Sequence, residues 1–347
     1  MAKPIVGHLD PFFFRVVEDI RRDLRSAFGT QNPFVFAISG TGSAGMETAV
    51  SNFVEPGAKL GVFIAGYFGE RIAEMGRRHG AKVIRFEKPW GSTFSEAEAT
   101  ELLERERPEV VAFVHAETST GALQDPEAIT RPAHRVNALV IGDCVTSLGG
   151  MPVRADATGI DIAFSCTQKG LSCPPGLSPL TASPTAIEWL RTRKDGSQVW
   201  YLDLKLLLEY FDGQHRYHHT APVSSFYALR EGLAAIREEG LEARFARHER
   251  CHRMFVQRIE EMGMRMFVPA GRRIPTLNTV RVPDGVDDAR VRRMLLDDYG
   301  IEISGGFGPL AGKIFRIGVM GPLATPDGVN FLCDALEKCL AAAPAPV

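Results

Sequence analysis

Lys169 has the most chemical potential of any residue in this sequence, because of its surroundings. It lies in 162–170 (IAFSCTQKG), directly after a largely apolar strand pattern, and 171–176 (LSCPPG) follows. A lysine held at such a point loses water. Desolvation makes its amine neutral and nucleophilic, the state that Schiff-base chemistry needs. An exposed loop lysine is the alternative that this run alone leaves open. Asp143 stands at the carboxyl end of a second apolar run, 138–142 (ALVIG). Ligands of parallel α/β sheets bind at that end of the strands. A carboxylate is costly to bury there without a cation, and a protonated ring nitrogen is one such cation. A solvated turn residue or a helix cap is the alternative.

Three further segments stand out. The first is 39–45 (SGTGSAG), between a strand pattern and a helix pattern. Its glycines permit a tight turn, and the free N–H groups of a helix start attract a phosphate. The hydroxyls of Thr41 and Ser43 add donors. The segment also satisfies G-x-G-x-x-G, so an NAD-dependent oxidoreductase is a competing reading. That reading needs an acid at the end of the next strand. Residues 65–68 (AGYF) offer none, and no lysine follows the last glycine as a P-loop requires. A plain tight turn remains open. The second is Arg316 in 312–318 (GKIFRIG), a lone guanidinium in an apolar strand. Its planar fork suits the α-carboxylate of an amino acid, with an internal salt bridge as the alternative. The third is 217–220 (YHHT). Side chains at i and i+1 of a regular element do not converge, so a metal is discounted. A desolvated amine, a buried acid and a phosphate cradle together suit pyridoxal phosphate. The protonated ring of that cofactor is an electron sink for a substrate carbanion.

These residues must be carried by a scaffold. Strands are expected at 35–38, 60–65, 82–86, 110–115 and 138–142, with helices at 44–53, 68–78, 95–107 and 126–136 between them. Two more apolar runs follow at 162–165 and 177–181. This rhythm predicts an α/β fold with a mostly parallel sheet covered by helices on both faces. After residue 200 the pattern changes. Helices at 204–210, 223–239 and 241–263 precede a strand at 276–282, a helix at 287–299, a strand at 314–319 and a helix at 327–343. The expectation is a large domain over 1–239 and a smaller C-terminal α+β domain over 240–347.

Composition narrows the class. The 347 residues are 45% hydrophobic and 24% charged, the profile of a soluble globular protein. The net charge of −2 argues against a nucleic-acid or anionic-membrane partner. Cys144, Cys166, Cys173, Cys251, Cys333 and Cys339 form no C-x-x-C pair and no zinc spacing, and read as free thiols. The N-terminal residues do not form a secretory signal, and no run approaches the ~20 apolar residues of a membrane span. The last residues, AAAPAPV, carry no anchor or peroxisomal tripeptide. A cytoplasmic protein is the default.

Taken in order, seven segments resemble the class V, fold-type I aminotransferases, in particular the alanine–glyoxylate and serine–glyoxylate group. They are 39–49 (SGTGSAGMETA), 65–71 (AGYFGER), 115–121 (HAETSTG), 142–150 (GDCVTSLGG), 165–176 (SCTQKGLSCPPG), 217–220 (YHHT) and 306–318 (GFGPLAGKIFRIG). The resemblance implies that Lys169 carries pyridoxal phosphate as a Schiff base and that Asp143 holds its pyridine nitrogen. It assigns the phosphate to Thr41, Gly42, Ser43 and Gln168. Phe68 takes the place of an aromatic, often Trp, that stacks on the ring, and Thr118 and Val145 touch the ring. Tyr217 and Thr220 match residues that reach the phosphate of the neighbouring subunit, which implies a homodimer with shared active sites. Arg316 matches the arginine that holds the substrate carboxylate. One departure concerns the N-terminus. Family members carry a Gly-Pro-rich segment ahead of 6–10 (VGHLD), whereas this chain starts almost on that motif. The start lies upstream, or the pocket is incomplete.

The implied reaction passes an amino group from a small donor, alanine or serine, to glyoxylate, giving glycine and a 2-oxo acid. (S)-Ureidoglycine–glyoxylate aminotransferase is a close alternative, and a non-catalytic pyridoxal-phosphate-binding homologue a further one. Cysteine desulfurase needs a mobile-loop cysteine, whereas Cys333 and Cys339 fall in the expected terminal helix.

Overall fold

The computed structural model describes residues 4–193, 195–211 and 215–342. Its strands are β1 (Phe34–Ser39), β2 (Lys59–Ile64), β3 (Lys82–Glu87), β4 (Val110–Val114), β5 (Ala116–Glu117), β6 (Ala122–Leu123), β7 (Leu139–Asp143), β8 (Ile162–Phe164), β9 (Leu177–Ala182), β10 (Leu277–Arg281), β11 (Ser304–Gly305) and β12 (Ile314–Gly318). Its helices are α1 (Pro11–Phe28), α2 (Gly42–Phe53), α3 (Tyr67–Arg78), α4 (Glu96–Glu106), α5 (Glu127–Arg135), α6 (Ala155–Thr158), α7 (Pro184–Thr192), α8 (Leu204–Phe211), α9 (Val223–Glu239), α10 (Leu241–Glu261), α11 (Asp288–Tyr299) and α12 (Pro326–Ala342). The expected helix end at residue 343 and the tail after it lie outside the described residues.

The main sheet has seven strands in the order β1-β9-β8-β7-β4-β2-β3. Its β8-β7-β4-β2-β3 neighbours run parallel, and β9 is antiparallel to both β1 and β8. This is the α/β, mostly parallel sheet that the alternating runs predict. Strands β1, β4, β7, β8 and β9 are buried along their whole length, as continuous apolar runs between two helical layers require. A second sheet, β10-β12-β11, is antiparallel. One apolar core spans Phe13 to Ile236, and a second spans Cys251 to Cys339.

Three helices were not among the expected elements, the shortest being the single-turn α6. No element is assigned above to 11–28, yet α1 has legible ends: Asp10 accepts from the Phe12 N–H, Pro11 opens the helix and left-handed Gly29 closes it. Its buried Phe13, Val16, Val17, Ile20 and Leu24 lie at helical spacing. Helix α7 starts the same way, with Ser183 accepting from the Ala186 N–H ahead of Pro184. Short β5, β6 and β11 carry too few residues for a periodic signal. Elsewhere the bounds move by a residue or two. Ser95 does cap α4, in a capping box with Glu98.

Glycine decides one contact that the site needs. A Cβ on Gly45 would lie 2.0 Å from Ser178 Oγ and 3.3 Å from Phe164 Cβ. The first turns of α2 can therefore lie directly on β8 and β9. The phosphate-cradle candidates are brought in this way to the same sheet edge as the strands that lead to Asp143 and Lys169.

Candidate active site

The site is built at the carboxyl ends of β7 and β8. Asp143 is the last residue of β7, paired in register with Val114 and Phe164. Five residues after β8 ends, Lys169 opens a tight turn in which its carbonyl accepts from the Ser172 N–H at 2.9 Å. Ser172 adopts the left-handed region, φ 58°. Sheet topology thus brings together two residues that sequence spacing leaves 26 positions apart.

Asp143 is 2% exposed, and its hydrogen-bond donor is the Val145 N–H, at 2.9 Å. No cation lies within ion-pair distance of it among the described residues. Burial therefore pushes its carboxyl up to about 7, helped by the nearby Glu117 charge. Lys169 is half-buried and has no carboxylate partner among the described residues. Burial lowers its pKa, and the Arg316 charge acts the same way. The amine is thus pushed towards its neutral, nucleophilic form.

Arg316 is buried, in the middle of β12. Nε donates to the Gly305 carbonyl at 2.7 Å and Nη1 to the Thr118 carbonyl at 3.4 Å. Its guanidinium carbon lies 3.9 Å from the centre of the Phe307 ring. The internal salt bridge left open above is not formed: no carboxylate lies within 4.0 Å among the described residues. A buried guanidinium held by carbonyls and a ring keeps its charge available to an incoming carboxylate.

Thr41 is the exposed N-cap of α2 and makes no side-chain capping bond. Gly42 is buried, with its Cα facing Cys166 and Val145, since an added Cβ would meet them at 3.1 and 3.3 Å. Ser43 is exposed, and its Oγ accepts from Arg71 Nη1 at 3.2 Å. Val145 is half-buried, Thr118 is buried and hydrogen-bonded to the Thr146 hydroxyl, and Gln168 is exposed. Phe68, in the first turn of α3, has the Arg71 guanidinium 4.9 Å from its ring centre.

Tyr217 is 60% exposed and Thr220 is exposed, whereas His218 and His219 between them are buried. The expectation that adjacent histidines diverge is corrected here. His218 Nδ1 and His219 Nδ1 are 2.8 Å apart, because 215–222 is irregular backbone and the period of a helix or strand does not apply. His219 Nε2 lies 2.7 Å from Ser39 Oγ, and burial lowers the His219 pKa to about 4. No cluster of three His, Cys, Asp or Glu suited to a metal occurs among the described residues. All six cysteines are free and buried.

Two residues join the site that sequence reasoning passed over, although both sit inside quoted motifs. Glu117 is buried and accepts from the Phe68 N–H at 3.2 Å, the Ser119 N–H at 3.0 Å and Ser119 Oγ at 2.6 Å. It caps the start of α3 and so sets the Phe68 ring, while burial raises its pKa. Arg71 bridges the Phe68 ring and Ser43. A lone acid in a polar motif gives no sequence signal that separates a helix cap from a solvated side chain.

Residues 6–315 match the family model described as "Aminotransferase class-V". Alanine–glyoxylate aminotransferase of Callithrix jacchus is 39% identical over 341 residues, 97% of this chain and 82% of that protein. (S)-Ureidoglycine–glyoxylate transaminase of Bacillus subtilis is 36% identical over 358 residues, 98% of this chain and 86% of that one. A crystal structure of alanine–glyoxylate aminotransferase from Nostoc superimposes with a TM-score of 0.96 at 46% identity, covering 97% of this chain and 90% of that chain. With a family model and relatives that match it over nearly its whole length, the chain belongs to the class V aminotransferases, enzymes that use pyridoxal phosphate.

Proposed function

We propose that the protein transfers the amino group of alanine or serine to glyoxylate, and that it does so as a cytoplasmic homodimer. The observation that carries this reading is a pair of buried charges left without counter-ions. Among the described residues Asp143 has no cation and Arg316 no carboxylate within ion-pair distance, and Lys169, in the turn after β8, is desolvated. A cofactor with a protonated ring nitrogen answers the first lack, and an α-amino acid answers the second.

Asp143, 2% exposed and with one N–H as its donor, fits that cofactor. When bound, pyridoxal phosphate supplies an electron sink that acidifies the substrate α-carbon. The chain's own residues divide the remaining work. Lys169 would hold the cofactor, and its amine would move the proton at the substrate α-carbon as base and then acid. Asp143 keeps the ring nitrogen protonated. Thr41, Gly42, Ser43 and Gln168 would take the phosphate, Phe68 would stack on the ring, and Thr118 and Val145 would touch it. Arg316 orients the substrate carboxylate. Tyr217 and Thr220 serve the neighbouring subunit. Their exposure supports that role, as do the exposed Leu9 and Phe12 beside a cleft of about 830 Å³. The absence of any described helix long and apolar enough to cross a membrane is compatible with a cytoplasmic setting. A division into 1–239 and 240–347 is supported by two apolar cores that share no residue.

Ureidoglycine as donor is the second reading, favoured by the Bacillus subtilis relative. A donor screen decides. Purified protein with pyridoxal phosphate is offered alanine, serine or ureidoglycine with glyoxylate, and glycine is measured. Alanine or serine is expected to give the highest kcat/KM. Fastest turnover with ureidoglycine selects the second reading, and no glycine from any donor overturns both.

A further inference from the structure

The first turns of helix α10 carry a buried arginine, Arg244, and a half-buried one, Arg247. Arg244 is 5% exposed. Nε donates to the Gly149 carbonyl at 2.7 Å, and Nη2 donates to the Gly170 carbonyl at 2.8 Å and to Ser172 Oγ at 3.3 Å. Nη1 is paired with Glu239 at 2.8 Å. Gly149 lies in the loop that leaves Asp143, and Gly170 follows Lys169 directly. One planar guanidinium therefore holds both loops whose relative placement defines the site.

The same carboxylate reaches further. Glu239 is also paired with Arg247 Nε at 2.6 Å. Arg247 Nη1 donates to the carbonyls of Gly321 at 2.9 Å and Ala324 at 2.7 Å. His248 Nε2 accepts from the Gly321 N–H at 2.9 Å, and its Nδ1 lies 2.8 Å from the Arg244 carbonyl. Gly321 lies against Ser172, where an added Cβ would come within 2.2 Å of its hydroxyl. The lysine turn, the acid loop and the 321–324 turn thus share one hydrogen-bonded knot.

We propose that Arg244 is a positioning residue for the reaction: held by Glu239, it clasps the Asp143 loop to the Lys169 turn and so fixes the lysine against the acid. Removing the fork frees two backbone carbonyls and lets the lysine turn relax away from Gly149. Proton transfer is the step most sensitive to such a displacement, because a shift of about 1 Å in a reacting group costs up to about 100-fold in rate. Substrate binding through Arg316 lies on a separate strand and is unaffected.

The inference rests on Lys169 as the reactive lysine, so that premise is measured separately. Borohydride reduction of the holoenzyme followed by peptide mapping is expected to label Lys169. A label on another lysine sinks the function assigned above. Arg244→Met, Arg244→Lys and Glu239→Gln are then compared with wild type as holoenzymes. For Arg244→Met, amide hydrogen exchange in 144–150 and 165–176 is expected to quicken about tenfold, with 110–114 unchanged. Its kcat is expected to fall 10- to 100-fold with KM within about twofold, and the kinetic isotope effect for a donor deuterated at Cα to rise. Arg244→Lys, a single charge without the fork, is expected to be intermediate. Glu239→Gln, with the carboxylate charge removed and the shape kept, is expected to show the same changes in smaller degree, which keeps the test alive should Arg244→Met not fold. Unchanged exchange in both loops, or an unchanged isotope effect together with unchanged kcat, overturns the proposal while leaving the labelled Lys169 in place.

Discussion

Asp143→Asn is expected to stabilise the cofactor-free protein and to weaken the cofactor-bound one. The carboxyl is buried beside one N–H donor with no cation in ion-pair distance among the described residues, and burial raises it from an ordinary 3.8 to about 7. Each pKa unit is worth about 1.36 kcal/mol, so this rise corresponds to about 4 kcal/mol. The sign follows from proton counting. Between the two values the native chain keeps a proton that the unfolded chain has released. Stability of the cofactor-free protein therefore falls as pH rises from about 4 to about 7 and then levels off. Asparagine does not ionise and keeps an oxygen for the Val145 N–H. Relative to wild type, the variant should gain little near pH 4 and about 4 kcal/mol near pH 8. Bound pyridoxal phosphate is expected to reverse the order, because on the proposed reading a protonated ring nitrogen would pair with aspartate and would have no charge partner in asparagine. The assay is urea unfolding at a series of pH values, with and without cofactor. A stability difference between variant and wild type that stays flat from about pH 4 to pH 8 in the cofactor-free protein would refute the buried, unpaired acid. Equal stabilisation of both proteins by the cofactor would remove Asp143 from the ring nitrogen.

Lys169→Ala is expected to show no visible absorbance band after incubation with pyridoxal phosphate and dialysis, and no turnover; a yellow, active variant rejects the residue as the point of attachment. Arg316→Lys replaces a fork with a point charge, and hydrogen bonds to charged groups contribute about 1.5–3 kcal/mol, so kcat/KM should fall roughly 10- to 100-fold. Steady-state kinetics with alanine and glyoxylate measure this, and unchanged values place the carboxylate elsewhere. Gly45→Ala puts a methyl 2.0 Å from Ser178 Oγ, which donates to the Ser165 carbonyl at 2.5 Å. Overpacking of this kind costs about 1–3 kcal/mol, read as a lower urea midpoint; an unaltered midpoint means that α2 can lift off β9 at no cost.

The sequence by itself settled what depends on neighbours along the chain. Apolar runs of strand length alternating with helical patterns sufficed for the mostly parallel sheet, whereas strand ends marked Asp143 and the Lys169 turn only as candidates, each with a solvated alternative. Val223–Glu239 was legible to the residue, since its periodicity is uninterrupted and Gly240 ends it. Ordered motifs supplied the family and, with it, the cofactor. Tertiary structure decided what depends on partners far along the chain. Strand β9 runs antiparallel between β1 and β8, which sets the glycine-rich turn of α2 beside the lysine turn. Whether Arg316 meets a carboxylate or only carbonyls is a matter of which strands flank β12. His218 and His219 face each other because irregular backbone cancels the local period. Glu117 caps a helix through Phe68, 49 residues before it, and Arg244 clasps loops 95 and 74 residues away. The physical reason is common to all of these. Burial and hydrogen-bond partnership are properties of pairs brought together by packing, and a charged side chain has the same letter whether it is solvated, capped or held without a counter-ion.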